Sequence, residues 1–138
     1  YKIRDGKTNV FKVKNMTEET YDTFTITIDG HKDFKAGQFC FLRINKNKLY
    51  ARHPFTVSSK PGVDMTFTMK LAGRFTQTAR ELKIEDEIII DGPFGNFIPR
   101  KDKDLVFIAG GVGITPFMSI LRDRVNKGLS QNVTLIYG

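Results

Sequence analysis

Three short stretches carry residues whose types and spacing suit nucleotide and redox chemistry. The first is Ala51-Arg52-His53-Pro54-Phe55-Thr56-Val57-Ser58-Ser59, a hydroxyl-rich strand in which the aromatic Phe55 adjoins the hydroxyl of Thr56. A flat heteroaromatic ring needs such a pair: an apolar plate against one face and a hydrogen-bonding group near its reactive nitrogen. His53 is shorter than an arginine and lacks its forked guanidinium, which makes it a weaker phosphate ligand. Strand alternation aims its neighbour Arg52 at the opposite face.

The second stretch is Gly73-Arg74-Phe75-Thr76. Gly73 permits a tight turn, and Thr76 is placed to cap a short helix over residues 77–82. Such an N-terminus attracts a phosphate through its unpaired N–H groups and the helix dipole. Read alone, the same residues are an ordinary capped helix. The third stretch, Gly110-Gly111-Val112-Gly113-Ile114-Thr115-Pro116, stands between an apolar run and a helical pattern. Backbone there can approach a dinucleotide pyrophosphate closely. The G-x-G-x-x-G spacing fails at its last position, where Pro116 replaces glycine, and this argues against the usual dehydrogenase fold.

The elements that must position these residues follow from periodicity. Residues 1–100 are β-rich: a strand begins at Val10, Phe11 and Val13, and residues 21–28 alternate with Phe24, Ile26 and Ile28 on one face. Further strands run from Phe39 to Ile44, from Pro54, over residues 65–71, and over 87–91, before a turn at Gly92-Pro93-Phe94-Gly95. Six short strands with glycine and proline punctuation predict a small antiparallel barrel, closed or nearly so. Leu82 on the inserted helix faces inward. From residue 102 the period changes. Leu105-Val106-Phe107-Ile108-Ala109 reads as a strand buried on both faces. A helix follows from Pro116 to Lys127, with Thr115 as N-cap, Pro116 in the first position and Gly128 ending it, and then a second strand over 133–137. This is one β-α-β unit.

In this order the three motifs resemble the ferredoxin–NADP reductase superfamily, and the His-Pro-Phe-Thr form of the first is most similar to the ferric reductase and NADPH oxidase branch. The resemblance covers about Val10 to Gly138. It implies a Greek-key FAD-binding barrel over 1–101 and the incomplete N-terminal part of an NAD(P)-binding domain over 102–138. It also implies an electron-transfer oxidoreductase in which NAD(P)H passes a hydride to flavin N5 and electrons go onward to an acceptor. Within it, Phe55 matches the ring-packing aromatic and Thr56 the catalytic hydroxyl near N5. His53 takes the place of a phosphate-facing arginine, and Pro54 and Ser59 belong to the same cofactor strand. Gly73, Phe75 and Thr76 match the pyrophosphate turn, which favours FAD over FMN. Gly110, Gly111, Gly113, Thr115 and Pro116 match the nicotinamide-nucleotide turn. The acceptor, a protein or an iron chelate, and the choice between NADH and NADPH are not identified by these residues.

Composition bounds the alternatives. The 138 residues carry 22 basic and 15 acidic side chains, a net charge of +7, yet the cations are scattered and no nucleic-acid motif accompanies them. No nucleic-acid partner is expected; a basic nucleic-acid-binding barrel, which exposed aromatics on a basic sheet would favour, is one rival. A flavin-binding or regulatory module without its own turnover is the other. Cys40, the single cysteine, excludes an internal disulfide and a Cys/His zinc site. No apolar stretch approaches the ~18 residues of a membrane span. The expected setting is the cytoplasm or the cytoplasmic face of a membrane, with a membrane-bound parent protein left open. The chain opens on Tyr1 and reads as a piece of a longer protein whose activity alone is weak or absent.

Overall fold

The computed structural model describes residues 9–44, 51–97, 104–110, 114–129 and 132–138. Six strands make one antiparallel sheet: β1 (Val10–Glu18), β2 (Thr23–Ile28), β3 (Phe39–Arg43), β4 (His53–Thr56), β5 (Thr66–Lys70) and β6 (Glu87–Phe94). A short helix, α1 (Arg74–Arg80), lies between β5 and β6. The strand order is β4-β3-β6-β1-β2-β5. The two end strands meet through a single bridge, Val57 with Phe67, so the sheet curls into a barrel whose last seam is stitched rather than fully laddered. The connections β2 to β3 and β5 to β6 skip over neighbours, which is the Greek-key arrangement the resemblance implied.

Period-2 patterning explains the interior. In β2, Phe24, Ile26 and Ile28 have no exposed surface, while the intervening threonines face out. Val13, Leu42, Phe67, Met69, Ile88 and Ile90 complete the same core from the other strands, and Leu82 closes it behind α1. Cys40 is buried there, and burial pushes its thiol pKa up to about 12. The outer threonines pair across strands: Thr25 and Thr68 hydroxyls lie 2.9 Å apart, and the Ser58 hydroxyl meets Thr66 at 2.6 Å and Thr68 at 3.3 Å.

Beyond the barrel, β7 (Leu105–Ala109), α2 (Thr115–Lys127) and β8 (Val133–Tyr137) form one parallel β-α-β unit. Its packing departs from the expectation of a strand buried on both faces. Phe107 is buried and stacks on Phe117 of α2, with ring centroids 4.5 Å apart. The other face is open: Val106 is 66% exposed and Ile108 73% exposed, because α2 covers only one side and no described element covers the other.

Three local expectations are also corrected. The turn at residues 92–95 is absorbed into β6, which continues to Phe94 because Phe94 pairs with Phe39 and packs on the Phe39 and Phe41 rings. Thr115 is the first residue of α2, not its cap; Ile114 precedes the helix without a side-chain cap, which moves Pro116 to the second position. Gly128 does end the helix, in the left-handed conformation at φ 64°. Thr76 lies inside α1, as described next.

Candidate functional site

The site is built where α1 crosses the edge strand β4. Alternation along β4 puts His53 and Phe55 on one face, opposite Leu42 and Cys40 of β3, and Phe75 of α1 lies against both. The His53 and Phe75 rings stack at 4.2 Å and 28°, and the Phe55 and Phe75 rings at 5.7 Å and 22°. Phe75 is 5% exposed, while His53 and Phe55 remain half-buried. The fold thus brings the first two motifs together, with a run of near-parallel rings at their junction.

Pro54 and Thr56 take the opposite face of β4. Pro54 is exposed and Thr56 half-buried, beside Phe41 and Phe39, their partners on β3. Arg52 also turns away from His53, as alternation predicted. Its guanidinium lies 4.8 Å from the centroid of the Phe41 ring and pairs with Asp91 at 3.4 Å. Arg52 therefore does not substitute for His53 as a cation on the ring-bearing face. The outward aromatic cluster of Phe39, Phe41 and Phe94 was not anticipated as part of the surroundings of Thr56. Its signal was present in the alternation of Phe39, Cys40, Phe41 and Leu42, which puts two phenylalanines on the outer face.

The turn before α1 works differently from a threonine cap. Gly73 precedes the helix at φ 141° and ψ −169°, a conformation reserved for glycine, and an added Cβ would meet no atom within 4 Å. The first turn of α1 therefore begins beside open space. Thr76 sits three residues into this turn and is buried; its hydroxyl accepts the Ala72 N–H at 2.9 Å and donates to the Gly73 carbonyl at 3.1 Å. Backbone N–H groups of the first turn, not the Thr76 hydroxyl, are the donors such a helix start offers an anion.

Ser59 stands apart from the ring stack. It is buried where the barrel meets α2: its hydroxyl accepts the Thr66 N–H at 3.2 Å and its carbonyl accepts the Ser119 hydroxyl at 2.7 Å. Of the third motif, Gly110 follows β7, Thr115 is buried and Pro116 half-buried at the start of α2, while Gly111 and Gly113 lie outside the described residues. Among the described residues no group of His, Cys, Asp and Glu is arranged to hold a metal ion, and no helix is long and apolar enough to cross a membrane.

The residues present fit a flavin dinucleotide: near-parallel rings, a hydroxyl on the opposite face of the same edge strand, and a glycine-opened helix start. The barrel followed by the start of a β-α-β unit defines the class: a flavin-binding barrel joined to the opening of a nicotinamide-nucleotide-binding domain. Residues 7–97, more than half of the chain, match the FAD-binding domain family, and residues 107–138 match the oxidoreductase NAD-binding domain. The chain belongs to this FAD-binding family, within the ferredoxin–NADP reductase superfamily. It is 30% identical to the probable dihydroorotate dehydrogenase B (NAD(+)) electron transfer subunit of Methanocaldococcus jannaschii, over 94% of this chain and 47% of that protein. It is also 30% identical to the probable respiratory burst oxidase homolog protein I of Arabidopsis thaliana, over 72% of this chain and 13% of that protein. A ferredoxin NADP+ reductase from Neisseria gonorrhoeae with bound FAD and NADP superposes with a TM-score of 0.82 at 26% identity, covering 93% of this chain and 56% of that one. The chain thus spans about half the length, or less, of the relatives it matches.

Proposed function

We propose that the chain is the flavin-binding part of an oxidoreductase that takes reducing equivalents from NAD(P)H and passes electrons to an acceptor, a protein or an iron chelate. The observation that carries this reading is the His53–Phe75–Phe55 stack on one face of β4, with Thr56 next along the strand on the other. In it, Phe55 and His53, backed by the buried Phe75, supply a flat plate, and Thr56 would offer its hydroxyl from the other face of the same edge strand. The backbone after Gly73 offers N–H donors to the pyrophosphate, and the glycine motif from Gly110 to Pro116 would take the nicotinamide nucleotide. Bound in this site, FAD would supply two-electron acceptance and one-electron release, which no side chain here can provide. The boundary between flavin and nucleotide parts falls near residues 101–102, and the module works in the cytoplasm or on the cytoplasmic face of a membrane.

The test is titration with FAD followed by reduction with NADH and NADPH. Binding should quench or shift flavin fluorescence at micromolar protein; no change would sink the reading. Thr56→Val should keep most of the affinity yet slow flavin reduction in the full-length protein, and equal rates would remove Thr56 from the redox site. The 138-residue chain alone should bind FAD but oxidise NAD(P)H slowly or not at all, since one face of its β7–β8 sheet is uncovered.

A further inference from the structure

The geometry points to Ser119 and Arg122 as positioning residues that clamp the nucleotide-binding helix to the far end of the flavin strand. Both lie on α2, three residues apart and therefore on one face. Ser119 has no exposed surface, and its hydroxyl donates to the Ser59 carbonyl at 2.7 Å. A helical serine ordinarily satisfies itself on the carbonyl one turn back; here it reaches across to the barrel instead. Arg122 donates through Nη1 to the adjacent carbonyl of Ser58 at 2.5 Å. These two acceptors stand only two and three residues beyond Thr56, in the same continuous run of chain.

The acceptors are themselves held still. Ser58 is 3% exposed; its N–H donates to the Thr66 carbonyl at 2.9 Å, and its hydroxyl is gripped by Thr66 and Thr68. A clamp onto a rigid edge transmits position, whereas one onto a loose loop does not. The rest of the seam is uneven. On the N-terminal side of the clamp, α2 packs Phe117 and Ile120 against Ala36, and Phe117 meets Phe97 edge-on at 5.6 Å. On the C-terminal side, the barrel and α2 part around a cavity of about 610 Å³ between Val63 and the side chains of Leu121 and Val125. Across it runs one exposed hydrogen bond, from Lys60 to Asn126 at 2.9 Å. Ser119 and Arg122 sit at this divide, where two directed bonds limit how far α2 can pivot about its apolar end.

The consequence for electron transfer rests on the proposed function: the clamp would fix the angle at which α2 holds a nicotinamide nucleotide relative to the face of β4. The structural part does not rest on it, and the experiment separates the two. Spin labels are attached through Tyr21→Cys and Val125→Cys, both highly exposed positions, on the barrel and on α2. The native Cys40 is buried and its thiol held neutral, so it stays unlabelled. Pulsed dipolar spectroscopy of the parent should give one narrow distance distribution, and Ser119→Ala with Arg122→Met should broaden or shift it. Ser119→Thr, which keeps the hydroxyl, should retain the narrow distribution. An unchanged distribution in the double variant overturns the clamp. In the full-length protein, the double variant should bind FAD within about twofold of the parent while the limiting rate of flavin reduction at saturating nucleotide falls about tenfold or more. Flavin affinity and rate that fall together with melting temperature would mean a merely structural contact and overturn the positioning role.

Discussion

Phe75 is the residue on which the candidate site turns, because the rings of His53 and Phe55 both rest on it. Phe75→Ala should therefore destabilise the barrel by about 3 kcal/mol, the usual scale for deleting a buried phenylalanine, and should weaken FAD as well. Phe55→Ala removes a half-buried ring and should cost less stability, roughly 1 kcal/mol, while weakening FAD by about 1–3 kcal/mol. Thermal melts and flavin titrations on the two variants check the contrast. A second residue couples the barrel to pH. The Asp64 carboxylate receives the Lys14 ammonium and the Gly30 N–H, and these hold its pKa below the ordinary 3.8. A depressed folded-state pKa adds stability above the unfolded value near 4 and loses it as pH falls through the lower, folded value. Asp64→Asn should thus melt below the parent at pH 7, and the gap should close as pH falls through the carboxylate's lowered folded-state value. Residue chemistry of the first motif was readable from the sequence, since alternation alone separates Arg52 from His53 and Phe55. Phe75 as the shared contact was less so: nothing local in Gly-Arg-Phe-Thr says that its aromatic packs on a strand twenty residues earlier.

At the scale of elements, the strands were easier to read than the helix starts. The alternation in β2 and the apolar positions of β5 and β6 report burial directly, and their registers follow from it. Caps depend on one residue's side chain choosing between two partners, and periodicity does not see that choice. Thr76 is the instructive case. Its hydroxyl secures the chain before α1, tying Ala72 and Gly73 to the helix, instead of capping a helix that begins after it. Thr76→Ala leaves the Ala72 N–H without this acceptor and should cost about 1–2 kcal/mol, visible in the melting temperature, and Thr76→Ser should restore most of it. FAD should weaken in the alanine variant more than riboflavin does, since the function proposed above puts the pyrophosphate at that turn. Equal losses for both ligands would place the phosphates elsewhere. The run on of β6 through Gly92 and Pro93 escaped the sequence for a related reason. A glycine–proline pair signals a turn locally, but Phe94 finds its place only against Phe39 and Phe41, more than fifty residues away.

For the molecule as a whole, the order of barrel and β-α-β unit was readable, because strands change there from alternating to continuous apolar runs. The seam between them was not: Ser119 and Arg122 look like ordinary helix residues until the carbonyls of Ser58 and Ser59 are seen opposite. The burial of β7 and β8 was misread, since a continuous apolar run states what a strand can tolerate on its two faces but not what lies there. That open face bears on behaviour in solution. Val106, Ile108 and Ile136, each more than half exposed and on one face of the sheet, make a sticky strip on a particle that carries a net charge of +7. Charge repulsion and apolar attraction oppose each other between copies, and salt weakens only the first, since the screening length falls from about 10 Å at 0.1 M to about 3 Å at 1 M. Light scattering from the 138-residue chain should therefore rise with sodium chloride, and Ile108→Lys should suppress the rise. The shelf life of this chain in a buffer, on this account, is a colloidal property set by one bare sheet face and by the ionic strength around it.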